Sequence, residues 1–191
     1  MRLLRWLSRE AFEVDRLAAD GNVAGLVAAL GGDQRANAAL ALGRSGEPRA
    51  IPSLIELATC DPERSVRFCA VYALGQLQAK EAENAIEGAL SDAESQVRMA
   101  AATALGRIRA QTAVPALRQV VAFDSDYYVR LRALESLVVL GDKPTREGLR
   151  ATLEEMPRGV RRDPRWKNLK RAADAGDPLA HGFTSYVAPY E

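Results

Sequence analysis

The sequence predicts an all-α fold, an α-α superhelix of about five stacked helical hairpins followed by a C-terminal extension. Three observations carry this. Arg35, Arg67, Arg98 and Arg130 recur at spacings of 32, 31 and 32 residues. The first three are followed eight residues on by the glycine of a Leu-Gly pair: Leu42-Gly43, Leu74-Gly75 and Leu105-Gly106. Within a unit the apolar residues fall at helical spacing, so that Val66, Ala70, Ala73, Leu74 and Leu77 share one stripe. Self-similarity at a fixed period of this size marks a repeat architecture.

Before the clear units, Arg9 to Ala19 and Asn22 to Leu30 read as a degenerate first hairpin, split at Gly21 and ended by Gly31-Gly32. A terminal repeat is expected to be atypical because one flank faces water. Each clear unit then opens on an aspartate, Asp33, Asp61, Asp92 or Asp124, placed as an N-cap whose carboxylate accepts from free backbone N–H groups. The glycine after each leucine fits the C-cap of the first helix, where a left-handed backbone is cheap without a Cβ. A second apolar run follows, as in Ala50-Ile-Pro-Ser-Leu-Ile-Glu-Leu and Val114-Pro-Ala-Leu-Arg-Gln-Val-Val. Pro52 and Pro115 fall in the first turn of that second helix, where a missing N–H costs nothing.

The hairpin span is constant: Arg35 to Leu54, Arg67 to Ile86, Arg98 to Leu117 and Arg130 to Leu149 are each 19 residues apart. In the last unit Gly141 lies 11 residues after its arginine, which reads as an extra turn in the first helix and a correspondingly shorter loop. After Met156-Pro157 the periodicity ends. The expected division is a solenoid over residues 1–156 and a basic capping segment with an aromatic tail over 157–191.

Residues 33–155 resemble the HEAT family, and more closely the short HEAT-like repeats named after phycobilisome lyases. Leu42-Gly-Arg-Ser-Gly-Glu-Pro-Arg-Ala-Ile-Pro-Ser-Leu and Asp92-Ala-Glu-Ser-Gln-Val-Arg-Met-Ala-Ala-Ala-Thr-Ala-Leu-Gly carry the resemblance most strongly. It implies a right-handed superhelix with the second helices lining its inner face. It also implies that Asp61, Arg67, Asp92, Arg98, Asp124 and Arg130 form a hydrogen-bonded ladder along the stack. Departures are the absent Val before Arg35, the missing Gly-Asp-Pro turn after Gly75 and Gly106, and the lengthened last helix.

Composition narrows the function. With 26 Lys and Arg against 25 Asp and Glu, the formal charge of +1 draws the whole chain neither to nucleic acid nor to anionic lipid. Apolar stretches such as Val23 to Leu30 fall short of the roughly 20 residues a membrane span needs. The basic, apolar start Met1-Arg-Leu-Leu-Arg-Trp-Leu meets Glu10, Glu13 and Asp15 before any long apolar core, so an amphipathic helix is expected there, not a signal peptide. Cys60 and Cys69 have neither redox nor metal spacing, and are read as buried free thiols in the cytoplasm.

Chemistry-bearing groups are few where a groove would be. The inner-face positions beside Leu54, Ile86, Leu117 and Leu149 are Ser53, Ala85, Ala116 and Gly148 on one side and Ile55, Glu87, Arg118 and Arg150 on the other. The one histidine, His181, lies beyond the repeats, and no cluster has metal-ligand spacing. No catalytic, metal or cofactor site is expected. Charge concentrates in Arg158-Gly-Val-Arg-Arg-Asp-Pro-Arg-Trp-Lys-Asn-Leu-Lys-Arg, where seven cations against Asp163 give +6 and leave the remaining chain at −5.

Arg118, Arg150, Arg158, Arg161, Arg162, Arg165, Trp166 and Lys167 are therefore the candidates for contact with a partner or a phosphate. A capping helix whose cations rest on an acidic body is the plainer reading of the same segment. Tyr127, Tyr128 and the tail Gly182 to Glu191 supply further aromatic candidates. The sequence favours a non-catalytic protein-protein scaffold over an enzyme. The alternatives are a bilin lyase-like chromophore attachment factor, implied by the resemblance alone, and a HEAT-like nucleic-acid-binding protein. The last is weakened by the position of Trp6 and Trp166 at the two ends.

Overall fold

The computed structural model describes residues 13–142. Among these the regular structure is helical and there is no strand. Residues 13–19 form α1. It is followed by α2 (Val23–Ala29), α3 (Arg35–Ser45), α4 (Ile51–Cys60), α5 (Arg64–Gln76), α6 (Glu83–Gly88), α7 (Ser95–Ile108), α8 (Val114–Phe123) and α9 (Tyr127–Val139). Short 3-10 turns at Pro48–Ala50, Lys80–Ala82 and Gln111–Ala113 lead into α4, α6 and α8. The first helices α3, α5, α7 and α9 stack on one another in a row, and each second helix packs on the first helix of the next unit.

The two kinds of helix bury different arcs because they have different numbers of neighbours. α4 covers one stripe, Ile51, Leu54 and Ala58, and turns Pro52 and Glu56 outward. α5 lies between α3 and α7 and against α4. It buries Val66, Cys69, Ala70, Val71, Ala73, Leu74 and Gly75, an arc too wide for a helix with one apolar stripe. The residues at the 19-residue span, Leu54, Ile86 and Leu117, are fully enclosed, as are Leu42, Leu74 and Leu105. Each such leucine contributes about 2 kcal/mol of burial.

The Leu-Gly glycines are not C-caps. Gly43, Gly75 and Gly106 lie inside α3, α5 and α7. A Cβ on Gly75 would sit 2.8 Å from Ala104 Cβ, one on Gly43 2.8 Å from Ala73 Cα, and one on Gly106 2.9 Å from Ser136 Cβ. Each glycine is where one first helix touches the next, and its missing side chain sets how closely they stack. The chain reverses three residues later, at Gly46, Gln78, Arg109 and Gly141, all with positive φ. Gly141 thus matches the turn residue of the other units. α9, at 13 residues, is no longer than α5 at 13 or α7 at 14, so the extra turn expected from its position is absent.

The aspartates are not N-caps in the strict sense either. The cap positions are Gln34, Glu63, Glu94 and Asp126. Of these Asp126 accepts from the N–H groups of Tyr128 and Val129. Asp61, Asp92 and Asp124 stand two residues earlier, while Asp33 is exposed. The 31-residue interval also has a local cause. α6 ends after six residues and tightens into a 3-10 turn, Ala89–Ser91, so the segment reaches Asp92 with one residue fewer than the ten of α4 or α8. Finally, Cys69 is buried but Cys60, at the end of α4, is exposed, contrary to the expectation for both thiols.

Candidate functional site

The arginine at each helix start joins two units. Arg67 Nε and Nη2 donate to Asp92 Oδ2 and Oδ1 at 2.7 and 2.9 Å, while Nη1 reaches back to the carbonyl of Asp61 at 3.0 Å. Arg98 repeats this, with Asp124 ahead at 2.8 and 2.9 Å and the Asp92 carbonyl behind at 2.9 Å. Arg35 grips Asp61 at 2.6 and 3.2 Å, and Arg130 Nη1 holds the Asp124 carbonyl at 2.9 Å. Such fork-to-fork pairs are the strong form of the ion pair.

Every rung carboxylate has a second duty. Asp61, Asp92 and Asp124 each accept the N–H two residues on, from Glu63, Glu94 and Asp126, at 2.8 to 2.9 Å. The Arg35 hydrogen bond holds Asp61 below the ordinary carboxylate range, and the Arg67 hydrogen bond does the same for Asp92. At Asp124 burial pushes upward most, but the hydrogen bonds from Arg98 and Asp126 N–H, with the charges of Arg98 and Arg130, carry it below. The arginines move the opposite way, held charged by their aspartates.

On the face of the second helices, Ser53, Ala85 and Ala116 are half-buried and offer no titratable group, and Glu87 is half-buried beside them. Glu83 accepts from the Thr112 hydroxyl, tying α6 to the turn before α8. Arg118 is exposed and is engaged at both ends of its fork by Asp142, at 2.9 and 2.5 Å, so a phosphate would have to displace a carboxylate there. The other cation candidates, Arg150, Arg158, Arg161, Arg162, Arg165 and Lys167, lie outside the described residues, as do Trp166, His181, the division at 156/157 and the aromatic tail. Among the described residues no group of three or more His, Cys, Asp or Glu is placed to hold a metal.

One corner stands apart. Phe123, the last residue of α8, is 84% exposed, and Tyr128, in the first turn of α9, is 49% exposed. Tyr128 and Tyr127 have ring centroids 4.5 Å apart. The corresponding places in the earlier units hold Cys60 and Ser91 beside Ser65 and Gln96, so the repeat itself does not call for aromatic rings. The exposure of Phe123 and the hold of Asp142 on Arg118 left no periodic signal in the sequence. Elsewhere, Arg107 lies over the Tyr72 ring at 5.2 Å and Arg64 pairs with Glu94 at 3.2 Å, two links between α5 and the next unit. A groove of about 470 Å³ between α1, α2 and α3 is floored by Val14, Leu26 and Leu40.

A family model for HEAT repeats matches residues 23–90 and 82–169, together more than half of the chain. The chain belongs to the HEAT-repeat family. The second match runs on to residue 169, beyond 156/157. Among solved structures, this HEAT-repeat chain is similar to the complex of CpcE and CpcF of phycocyanin lyase from Nostoc sp. PCC7120. The TM-score is 0.65 and the identity 25%, over 87% of this chain and 70% of that one. The likeness agrees with a repeat of the phycobilisome-lyase type. No curated protein matches the chain. None of the described helices is long and apolar enough to cross a membrane.

Proposed function

We propose that this chain is a non-catalytic scaffold of the cytoplasm that holds a protein partner against its repeat surface. The observation that carries the reading is the Phe123 and Tyr128 corner: two rings left in water on a frame fixed by the ladder and by the Asp126 cap. Large aromatic side chains presented on a rigid element are typical anchors of a protein interface. Likeness to a chain from a two-subunit complex supports a protein partner, and the free thiols Cys60 and Cys69 suit the cytoplasm. Affinity purification of the tagged full chain from its source cells, with mass spectrometry of what is retained, tests it. A stoichiometric protein partner is the expected result. Recovery of nucleic acid or a small chromophore, with no protein, contradicts it.

A second reading, attachment or detachment of a bilin chromophore, is favoured by the likeness to a phycocyanin lyase complex. Incubating the purified chain with a bilin and recording the visible spectrum tests this separately. A shifted, saturable absorbance band supports it, and an unchanged spectrum removes it.

A further inference from the structure

We propose that the groove between α1 and α3 is a second docking site, which receives one amphipathic helix of a protein partner and sets a carboxylate of that helix against Arg44. The site lies at the other end of the described stack from the Phe123 and Tyr128 corner and does not depend on it. Each later pair of first helices closes through a glycine pressed on a small residue of the next helix: Gly43 on Ala73, Gly75 on Ala104 and Gly106 on Ser136. The glycines stand three residues before the positive-φ turns at Gly46, Gln78 and Arg109, and the small residues five before those at Gln78, Arg109 and Gly141. The same counts from Gly21 and Gly46 arrive at Ala18 and Ala41, and both line the groove. Ala18 thus carries the Cβ that the closed junctions lack. The glycine contact of this first hairpin holds α1 to α2 instead, where a Cβ on Gly25 would sit 2.6 Å from Leu17 Cδ2.

The charges at the groove follow the same register. Across the closed junction of α5 and α7, Arg107 lies over the Tyr72 ring at 5.2 Å. Counted from their turns, the counterparts of Arg107 and Tyr72 are Arg44 on α3 and Asp15 on α1. Both line the groove and are exposed, and among the described residues neither has a hydrogen-bond or ion-pair partner. Opposite charges that a closed junction would bring together are left open to a third group, above an apolar floor of Val14, Leu26 and Leu40. The wall on α3 has the character of a face that takes a helix, because Ala41 is the counterpart of Ala73 and Ala104, each of which carries the preceding first helix. An incoming helix with a small residue on Ala41 and aliphatic side chains over Leu40 and Val14 completes that packing. A carboxylate three residues before its small residue, as Tyr72 stands before Gly75, then falls to Arg44.

Fluorescence anisotropy of the full chain with a labelled helical peptide tests the site. The probe is a peptide of residues 64–76, which carries Gly75, stapled into a helix on its opposite face and made in two forms, Tyr72→Glu and Tyr72→Lys. The Glu form is expected to bind saturably and at least about threefold tighter than the Lys form, and Arg44→Glu in the chain to reverse that order. Ala18→Trp, on an exposed position of the groove wall, is expected to abolish binding of both forms with the melting temperature within about 2 °C of the parent. No saturable binding, an order of affinities that Arg44→Glu leaves unchanged, or full binding by Ala18→Trp overturns the proposal. Displacement of the probe by an equimolar peptide of residues 1–12 overturns it in favour of a segment of this chain. Self-association of the parent that Ala18→Trp abolishes overturns it in favour of a second copy.

Discussion

At Asp92 one side chain does two things: it receives both prongs of Arg67 and the N–H of Glu94, and so fixes the start of α7 and the unit before it together. Asp92→Asn keeps the shape and removes the charge. It is expected to cost about 2 kcal/mol, the range for a hydrogen bond to a charged group, measured by urea unfolding. The thiols offer a second check on single residues. Cys60 is exposed, whereas burial pushes the Cys69 thiol up and keeps it protonated. A thiol reagent is therefore expected to titrate one cysteine of the native chain quickly and the second only on unfolding. Two fast thiols in the native state would contradict the packing of Cys69 in α5.

Among the helices, glycines of like appearance have unlike work. Gly75 is pressed against Ala104, while Gly88, in α6, has an ordinary helical backbone and open space where a Cβ would go. Gly75→Ala is expected to destabilise by about 1–3 kcal/mol through forced separation of α5 and α7. Gly88→Ala is expected to stabilise by about 0.5–1 kcal/mol. Thermal unfolding of both variants checks the contrast in sign. This is also where sequence reasoning was strongest and where it failed. Periodicity located the helices, and Pro52 and Pro115 marked the second-helix starts, because one-dimensional spacing is the direct image of helix geometry. A Leu-Gly pair looks the same whether the glycine ends a helix or touches a neighbour, and only the stacked partner decides. The corner at Phe123 and Tyr128 was half legible: the tyrosines stood out, but no spacing rule tells which side of a short turn faces water.

For the whole molecule, the ladder adds an acid sensitivity distributed along the stack. Asp61, Asp92 and Asp124 titrate lower in the folded chain than in the unfolded one, so the unfolded chain binds more protons as the pH falls. Their contribution is complete above the ordinary carboxylate range, near pH 5 and higher. It is lost as the pH drops through and below about 4. The melting temperature is expected to fall between pH 5 and pH 3, and to fall less steeply in Asp92→Asn. A repeat stack is a sum of units and junctions, and the rungs place one charged junction at each step from α3 to α9. These junctions tie each unit to the next, which supports the proposal that the Phe123 and Tyr128 corner serves as a partner site. The most direct measurement is the affinity of the purified partner for the parent chain and for the Phe123→Ala, Tyr128→Ala double variant, with melting temperatures compared. The scaffold account predicts a Kd at least about tenfold weaker at an unchanged melting temperature. An unchanged Kd would contradict it.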